Sequence, residues 1–318
     1  MPRVSIVIPA FNRELYITDC LSSALNQTFS DIEVIIVDNC STDNTLNICQ
    51  QIARKDSRVK IYKNDKNIGP VRNWIKAIDL ATADIVKILW SDDMISETFI
   101  EKTYPILLEN SDVGFVLTAA IVFDEDNKTK ELAYVIGKPG FHSMQTYVEG
   151  VLLGNNWPYS PGCAIFRKTD LKKNLLLNIP NKIGSDFSMH AVGNDLTIFL
   201  LTSLDYEKFY FIDEPLSQFR SHSDSISTSS KYEKLILLYH MAKAFFIENY
   251  VRDAKLIKKF NSLLALNINR FPNNEIGIRC IKDFYFNPVN VEINKSYYYI
   301  SMIKKLYLPA ILKKMKVV

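Results

Sequence analysis

The chain has 318 residues, 47% of them hydrophobic and 23% charged, the balance of an ordinary folded protein long enough for one large domain and an appendage, so disorder is not the default. Its five cysteines, Cys20, Cys40, Cys49, Cys163 and Cys280, are odd in number and lack paired C-x-x-C spacing, which argues against a disulfide framework or a structural zinc site and for a reducing compartment. The net charge of +3 hides an asymmetry: residues 231–318 carry 16 Lys and Arg against 6 Asp and Glu, a balance of +10 that leaves −7 on residues 1–230.

Met1 runs straight into a strand-like segment with no charged n-region or apolar h-region, so a cleaved signal peptide is not expected and the protein is placed in the cytoplasm. The first half then alternates short β-branched runs with helix-period stretches, the pattern of βαβ units around a mostly parallel sheet. Strands are predicted at Val4–Ile8, Glu33–Val37, Val59–Tyr62 and Ile85–Trp90. Helices are predicted at about Leu15–Gln27, Thr42–Lys55 with Ser41 as N-cap, and Asn73–Thr82. In open α/β sheets ligands bind beyond the carboxyl ends of strands, and Pro9–Asn12, Asp38–Ser41 and Ser91–Asp93 all fall there.

The run Val113–Phe123 has 11 residues, short of the roughly 20 that span a bilayer, and reads as a buried strand. After Thr118 the periodicity is less clean, with strand-like segments near Cys163–Arg167 and Tyr210–Phe211 and a helix around Asp195–Ser203. From Lys231 onward the chain reads as mainly helical and basic. This divides it into a body, residues 1–230, and a helical C-terminal extension, residues 231–318. An acidic body needs a cation or a specific polar ligand, whereas a basic appendage suits anionic lipid or nucleic acid.

Asp92 and Asp93 directly follow an apolar strand. Adjacent carboxylates repel and lose hydration there unless a cation or donors sit between them. Oxygen ligands favour Mg²⁺ or Mn²⁺ shared with substrate phosphates. On its own the pair also reads as an exposed turn capping a helix.

Four blocks in series settle the context: Val4-Ser5-Ile6-Val7-Ile8-Pro9-Ala10-Phe11-Asn12; Glu33-Val34-Ile35-Ile36-Val37-Asp38 continuing to Thr45; Asn67-Ile68-Gly69-Pro70-Val71-Arg72-Asn73; and Trp90-Ser91-Asp92-Asp93. In order and spacing they resemble the family 2 inverting glycosyltransferases of the GT-A fold, over roughly residues 3–225. The resemblance implies a Rossmann-like, mostly parallel sheet flanked by helices, a nucleotide-sugar donor with UDP-sugar expected, and a divalent metal cofactor. It also implies an acceptor that is a glycan or a lipid-linked glycan, in bacterial surface polysaccharide or lipopolysaccharide assembly.

By the same likeness, Pro9, Phe11 and Asn12 would line the nucleotide pocket, Asp38 would accept from the base ring and Arg72 would approach the base or diphosphate. Asp92 and Asp93 match the second half of the family's D-x-D motif, gripping ribose and metal, with Trp90 in place of the first Asp. Gly193-Asn194-Asp195-Leu196 sits where the family has its E-D pair, Asn194 replacing Glu, which makes Asp195 the candidate base with Asp186 as a competitor; read alone, Asp195 caps a helix. Phe219-Arg220-Ser221-His222 resembles the family's late segment, with His222 as a metal ligand and Arg220 as a phosphate contact.

Trp157 and Tyr159 are aromatic faces that suit sugar rings and are assigned to the acceptor, a core-packed loop being the other reading. The segment Tyr297–Val318, with Lys304, Lys305, Lys313, Lys314 and Lys316 and no acids, suits a helix lying on anionic lipid at the inner face of the cytoplasmic membrane, or one docked on its own domain. Its aromatics are mixed with aliphatics, so nucleic acid is not an expected partner. Two rivals stand beside this reading. A nucleotidyltransferase would carry a glycine-rich basic loop after the first strand, which Ala10-Phe11-Asn12-Arg13 is not. A non-catalytic nucleotide-binding module of the same fold would explain Trp90 and Asn194.

Overall fold

The computed structural model describes residues 2–124, 129–154, 157–222, 231–287 and 290–304. Val4–Ala10 (β1) and Ile32–Asp38 (β2) are buried at every residue, as expected of apolar runs covered on both faces of a parallel sheet. Between and after them come Ile17–Leu25 (α1), Thr45–Ala53 (α2), Val59–Lys63 (β3), Pro70–Leu80 (α3) and Ile85–Ile88 (β4). β1 pairs in parallel with both β2 and β4, and β2 with β3. The order β3-β2-β1-β4 puts the topological switch between β1 and β4, at whose carboxyl ends an α/β sheet opens a crevice.

Two polar side chains inside these strands are satisfied by each other. Ser5 Oγ donates to Glu33 Oε1 at 2.6 Å, Thr82 donates to the same oxygen through its N–H and its hydroxyl, and Lys60 donates to Glu33 Oε2 at 2.7 Å.

Beyond β4 the sheet is mixed. Met94–Ile95 (β5), Phe99–Glu109 (α4), Val113–Asp124 (β6), Lys130–Ala133 (β7), Gly140–Ser143 (β8) and Met144–Leu152 (α5) lead to a 3₁₀ turn at Pro161–Cys163. There follow Ala164–Arg167 (β9), Lys168–Asn174 (α6), Phe187–His190 (α7), Asn194–Thr202 (α8) and Lys208–Ser221 (β10). β9 runs antiparallel between β4 and β6, and β10 lies parallel to β6. The C-terminal region forms Tyr232–Tyr250 (α9), Ala254–Arg270 (α10), a 3₁₀ turn at Ile281–Phe284 and Lys295–Met302 (α11).

One face of the sheet is covered by α1, α2 and α4. The other is covered by α3, α5 and α8, and buried residues of α9 and α10, among them Leu237, Met241, Phe260 and Leu264, join that same cluster. The proposed boundary between body and extension lies in 223–230, outside the described residues.

Where element ends differ from expectation, side chains explain it. α2 starts at Thr45 because the N–H of Thr42 is taken by Asn12 Oδ1 and that of Asn44 by Glu14, and Ser41 accepts from the Asn12 N–H instead of capping. α3 starts earlier, at Pro70, which suits a first helical position. Gly69 before it has φ +83° and a Cβ there would lie 2.8 Å from Met189 Sδ, so glycine is required.

Candidate active site

The three loops at the switch point are sewn together by side-chain bonds. Asn12, at φ 51°, accepts from the Thr42 N–H at 2.9 Å, the Arg13 N–H donates to Thr45 Oγ1, and the Asp38 carboxylate accepts from the Ser41 N–H. This fixes Asp38, fully buried, beneath the loop that carries Phe11, which is 37% exposed. Pro9 is the penultimate residue of β1, opposite Val37 of β2. Nearby, Asn39 binds Asn64, Asn67 and the Ile68 N–H, which shapes the turn into α3. Arg72 on α3 donates to Ser188 Oγ at 2.9 Å, and Ser188 donates to Asp186. Arg72 therefore ties α3 to α7, and Asp186 is the N-cap of α7.

At the end of β4, Asp92 and Asp93 face the returning strand β10. His222 Nε2 lies 2.8 Å from Asp92 Oδ2, and Arg13 Nε 3.6 Å from the same oxygen. The Arg220 N–H donates to Asp93 Oδ1 at 2.9 Å and Arg220 Nε to the Asp92 carbonyl at 3.2 Å. Its guanidinium lies between the rings of Tyr16 and Phe123 and donates to Asp19, so Arg220 is anchored from all sides.

Burial works against the charge on Asp92, but the His222 hydrogen bond and the Arg13 guanidinium outweigh it and hold the carboxyl below its usual range. Burial, then the charge of Asp92, push Asp93 well above its own. Asp93 is therefore the less compensated of the two carboxylates, and added positive charge beside it would favour its ionised form. Among the described residues, no group of three or more His, Cys, Asp or Glu is gathered as a complete metal shell. A cation here would draw its remaining ligands from substrate oxygens, as Mg²⁺ and Mn²⁺ sites commonly do.

Trp90 fills the first motif position. Its ring packs on Trp74 and its Nε1–H donates to Ser160 Oγ at 3.2 Å. Beneath it Lys87, buried in β4, donates to the carbonyls of Pro161, Gly162 and Ala164. Burial brings this lysine down to about 7.

The neighbour of Ser160, Tyr159, packs on Tyr239 of α9 at 5.0 Å between ring centroids. Tyr239 donates to Asp195 Oδ2 at 2.9 Å, while Asp195 Oδ1 accepts from the N–H groups of Gly193 and Leu196. The residue pair Tyr159-Ser160 thus connects the Asp92 loop to Asp195. Burial pushes the Asp195 carboxyl up to about 6 in spite of these three donors, and the residue as a whole is half-buried. Asn194 points the other way, donating to the carbonyls of Leu176 and Leu177. Trp157 packs edge-on against Tyr147 and Phe209, over Gly150.

Arg13 and Tyr239 were not legible as site residues. Arg13 follows a motif residue but lies outside its pattern, and Tyr239 stands on a helix beyond the resemblance. Residues 223–227 of the late serine-rich segment, and Asn155 and Asn156 beside Trp157, lie outside the described residues.

An α/β sheet covered on both faces, with carboxylates at the ends of its switch-point strands, is an architecture of the GT-A type. The chain belongs to glycosyl transferase family 2, whose sequence pattern matches residues 5–175. Over 261 residues it is 26% identical to the GalNAc(5)-diNAcBac-PP-undecaprenol beta-1,3-glucosyltransferase of Campylobacter jejuni, covering 80% of this chain and 77% of that one. In fold it is similar to S. aureus TarS 1-349 in complex with UDP-GlcNAc, with TM-score 0.62, 20% identity, and 87% and 74% of the two chains covered. It is also similar to the mannosyltransferase PcManGT of Pyrobaculum calidifontis in complex with GDP-Man and Mn²⁺, with TM-score 0.50, 15% identity, and 97% and 81% covered. Family membership sets the nucleotidyltransferase reading aside. No helix among the described residues is long and apolar enough to cross a membrane.

Proposed function

We propose that this glycosyltransferase is an inverting enzyme that moves a sugar from a nucleotide-sugar, with UDP-sugar as the expected donor, onto a hydroxyl of a glycan or lipid-linked glycan. The observation that carries the reading is Asp195: a carboxyl of a half-buried residue, pushed up to about 6 by burial yet still ionised near neutral pH, and joined through Tyr159-Ser160 to the Asp92 loop. A base of this kind takes the acceptor proton while the hydroxyl oxygen attacks the anomeric carbon and the bond to the diphosphate breaks with its electrons. Asp186, occupied as a helix cap, is the weaker candidate.

Pro9, Phe11, Asn12 and Asp38 are assigned to the nucleotide, Arg72 to the base or diphosphate, and Tyr159 and Trp157 to the acceptor. Asp92, Asp93 and His222 are the groups that would hold Mn²⁺ or Mg²⁺ together with the donor diphosphate, and the ion would offset charge growing on the leaving group. Arg13 and Arg220 add fixed positive charge beside the same carboxylates. A role in surface polysaccharide or lipopolysaccharide assembly at the inner face of the membrane is supported by the basic C-terminal region and by the undecaprenol-linked substrate in the Campylobacter relative's name.

A second reading, a nucleotide-binding chain without turnover, is favoured by Trp90 at the first motif position and by Asn194, which turns away from Asp195. Calorimetric titration of UDP, GDP, dTDP and CMP, each with Mn²⁺ and with chelator, tests the donor site. UDP is expected to bind only with metal, and the Asp92→Ala/Asp93→Ala double variant to lose at least tenfold in affinity. Absence of binding by all four nucleotides would reject the donor assignment.

A further inference from the structure

Helix α9 lies outside the 5–175 match to the family, yet it supplies the one side-chain donor to Asp195 among the described residues, the Tyr239 hydroxyl at 2.9 Å. We infer that Tyr239 is a positioning residue for the reaction: from the C-terminal helix it aims the Asp195 carboxylate and stabilises its ionised form, which makes α9 part of the acid–base end of the site. This rests on the reading of Asp195 as the base.

The geometry leaves the carboxylate few other orientations. Asp195 Oδ1 is committed to the Gly193 and Leu196 N–H groups at the start of α8, so the direction of Oδ2 is set by Tyr239 alone among side chains. The Tyr239 ring is itself fixed against Tyr159, and the Lys243 ammonium, one turn further along α9, sits 6.0 Å from the Tyr159 ring. Among the described residues, Tyr239 of α9 bonds Asp195, and the phenols of Tyr159, Tyr134 after β7 and Tyr147 of α5, raised mainly by burial, also feel its charge. α6, also packed on α8, turns Asn174 to Thr202 and Asp170 to Tyr206, away from this end. No fixed cation of α8 itself offsets the carboxylate; its first turn holds only Asp195 as a charged residue.

A hydrogen bond to an ionised carboxylate favours that form, so its loss raises the pKa. With the full-length protein, UDP release is measured from pH 5 to 9 for wild type, Tyr239→Phe and Asp195→Asn, alongside UDP binding. The ring of Tyr239→Phe keeps its packing on Tyr159. Its acidic limb is expected to move up by about one pH unit, the size expected for one hydrogen bond to a charge, with UDP affinity unchanged within about twofold, since the Tyr239 hydroxyl bonds Asp195 and not the Asp92 or Asp93 carboxylates. A limb that stays at the wild-type pH, or a uniform loss at every pH, would overturn the positioning role. Turnover retained in Asp195→Asn would instead remove the base assignment on which it rests. The carboxyl ¹³C shift of Asp195, titrated in both Tyr forms, reads the same displacement without turnover: equal midpoints reject the inference and a higher midpoint in Tyr239→Phe supports it.

Discussion

Glu33 and Asp195 are both carboxylates taken out of water, and their partners place them on opposite sides of the ordinary value. At Glu33, burial opposes ionisation, but Lys60, Ser5 and Thr82 outweigh it and bring the carboxyl down to about 2. A depressed carboxyl stabilises the fold above its unfolded pKa and loses that contribution as the pH falls through the folded one. The window here is about 4.5 to 2. Glu33→Ala is predicted to cost about 2–4 kcal/mol at pH 7, since Ser5 and Thr82 lose a buried acceptor. Urea unfolding should show the gap to wild type narrowing as pH drops below 4.5, and a gap that is constant with pH would contradict this. Asn12, Asp38, Asp92, Asp93, Asp195 and His222 are proposed from the sequence because each sits in a block of fixed spacing, and the structure brings Asp92, Asp93 and His222 together with Arg220. Tyr239 was not legible there, because its partner lies 44 residues away and nothing local marks one tyrosine in an apolar helix as a donor.

At the scale of elements, α11 and its C-cap residue turn Tyr299, Ile300 and Ile303 to the surface, each more than half exposed, beside Lys295 and Lys304 on the same short stretch. Apolar side chains at the headgroup level with lysines around them suit an anionic bilayer. The protein is expected to sediment with vesicles of phosphatidylglycerol and not with phosphatidylcholine, and Ile300→Asp/Ile303→Asp to lower the bound fraction severalfold. Equal binding to both lipids would reject a charge-guided membrane contact. The lysines at 305, 313, 314 and 316 lie outside the described residues.

The early strands were legible as elements because β-branched runs between polar loops have one reading, although β1 passes Pro9 and ends at Ala10 rather than at Ile8. β10 was legible only at Tyr210–Phe211, because Asp213-Glu214-Pro215 reads as a break. The chain passes it with shifts in register and continues to Ser221, since a bulge lets a proline stay within a strand. α4 escaped notice for a related reason, carrying Pro105 within its span.

Across the whole molecule, the described C-terminal helices share a hydrophobic cluster with the face of the sheet that carries α3 and α8. The −7 body holds the carboxylates, and the +10 extension supplies Tyr239 and the exposed lysines. That union was not legible from charge and period alone, which divide the chain at residue 230 but say nothing of which surface the helices cover.

The central claim is that Asp195 takes the acceptor proton. A carboxyl raised in the folded state stabilises the protein only at low pH, and that contribution is lost as pH rises through about 6, so replacing it with the neutral amide should not weaken the fold at pH 8. The most direct test is turnover of Asp195→Asn, followed as UDP release at pH 8 and paired with UDP binding. The account predicts nucleotide affinity within about twofold of wild type and a rate lower by about 10²–10⁴; a variant that binds UDP normally and turns over within about tenfold of wild type would contradict it.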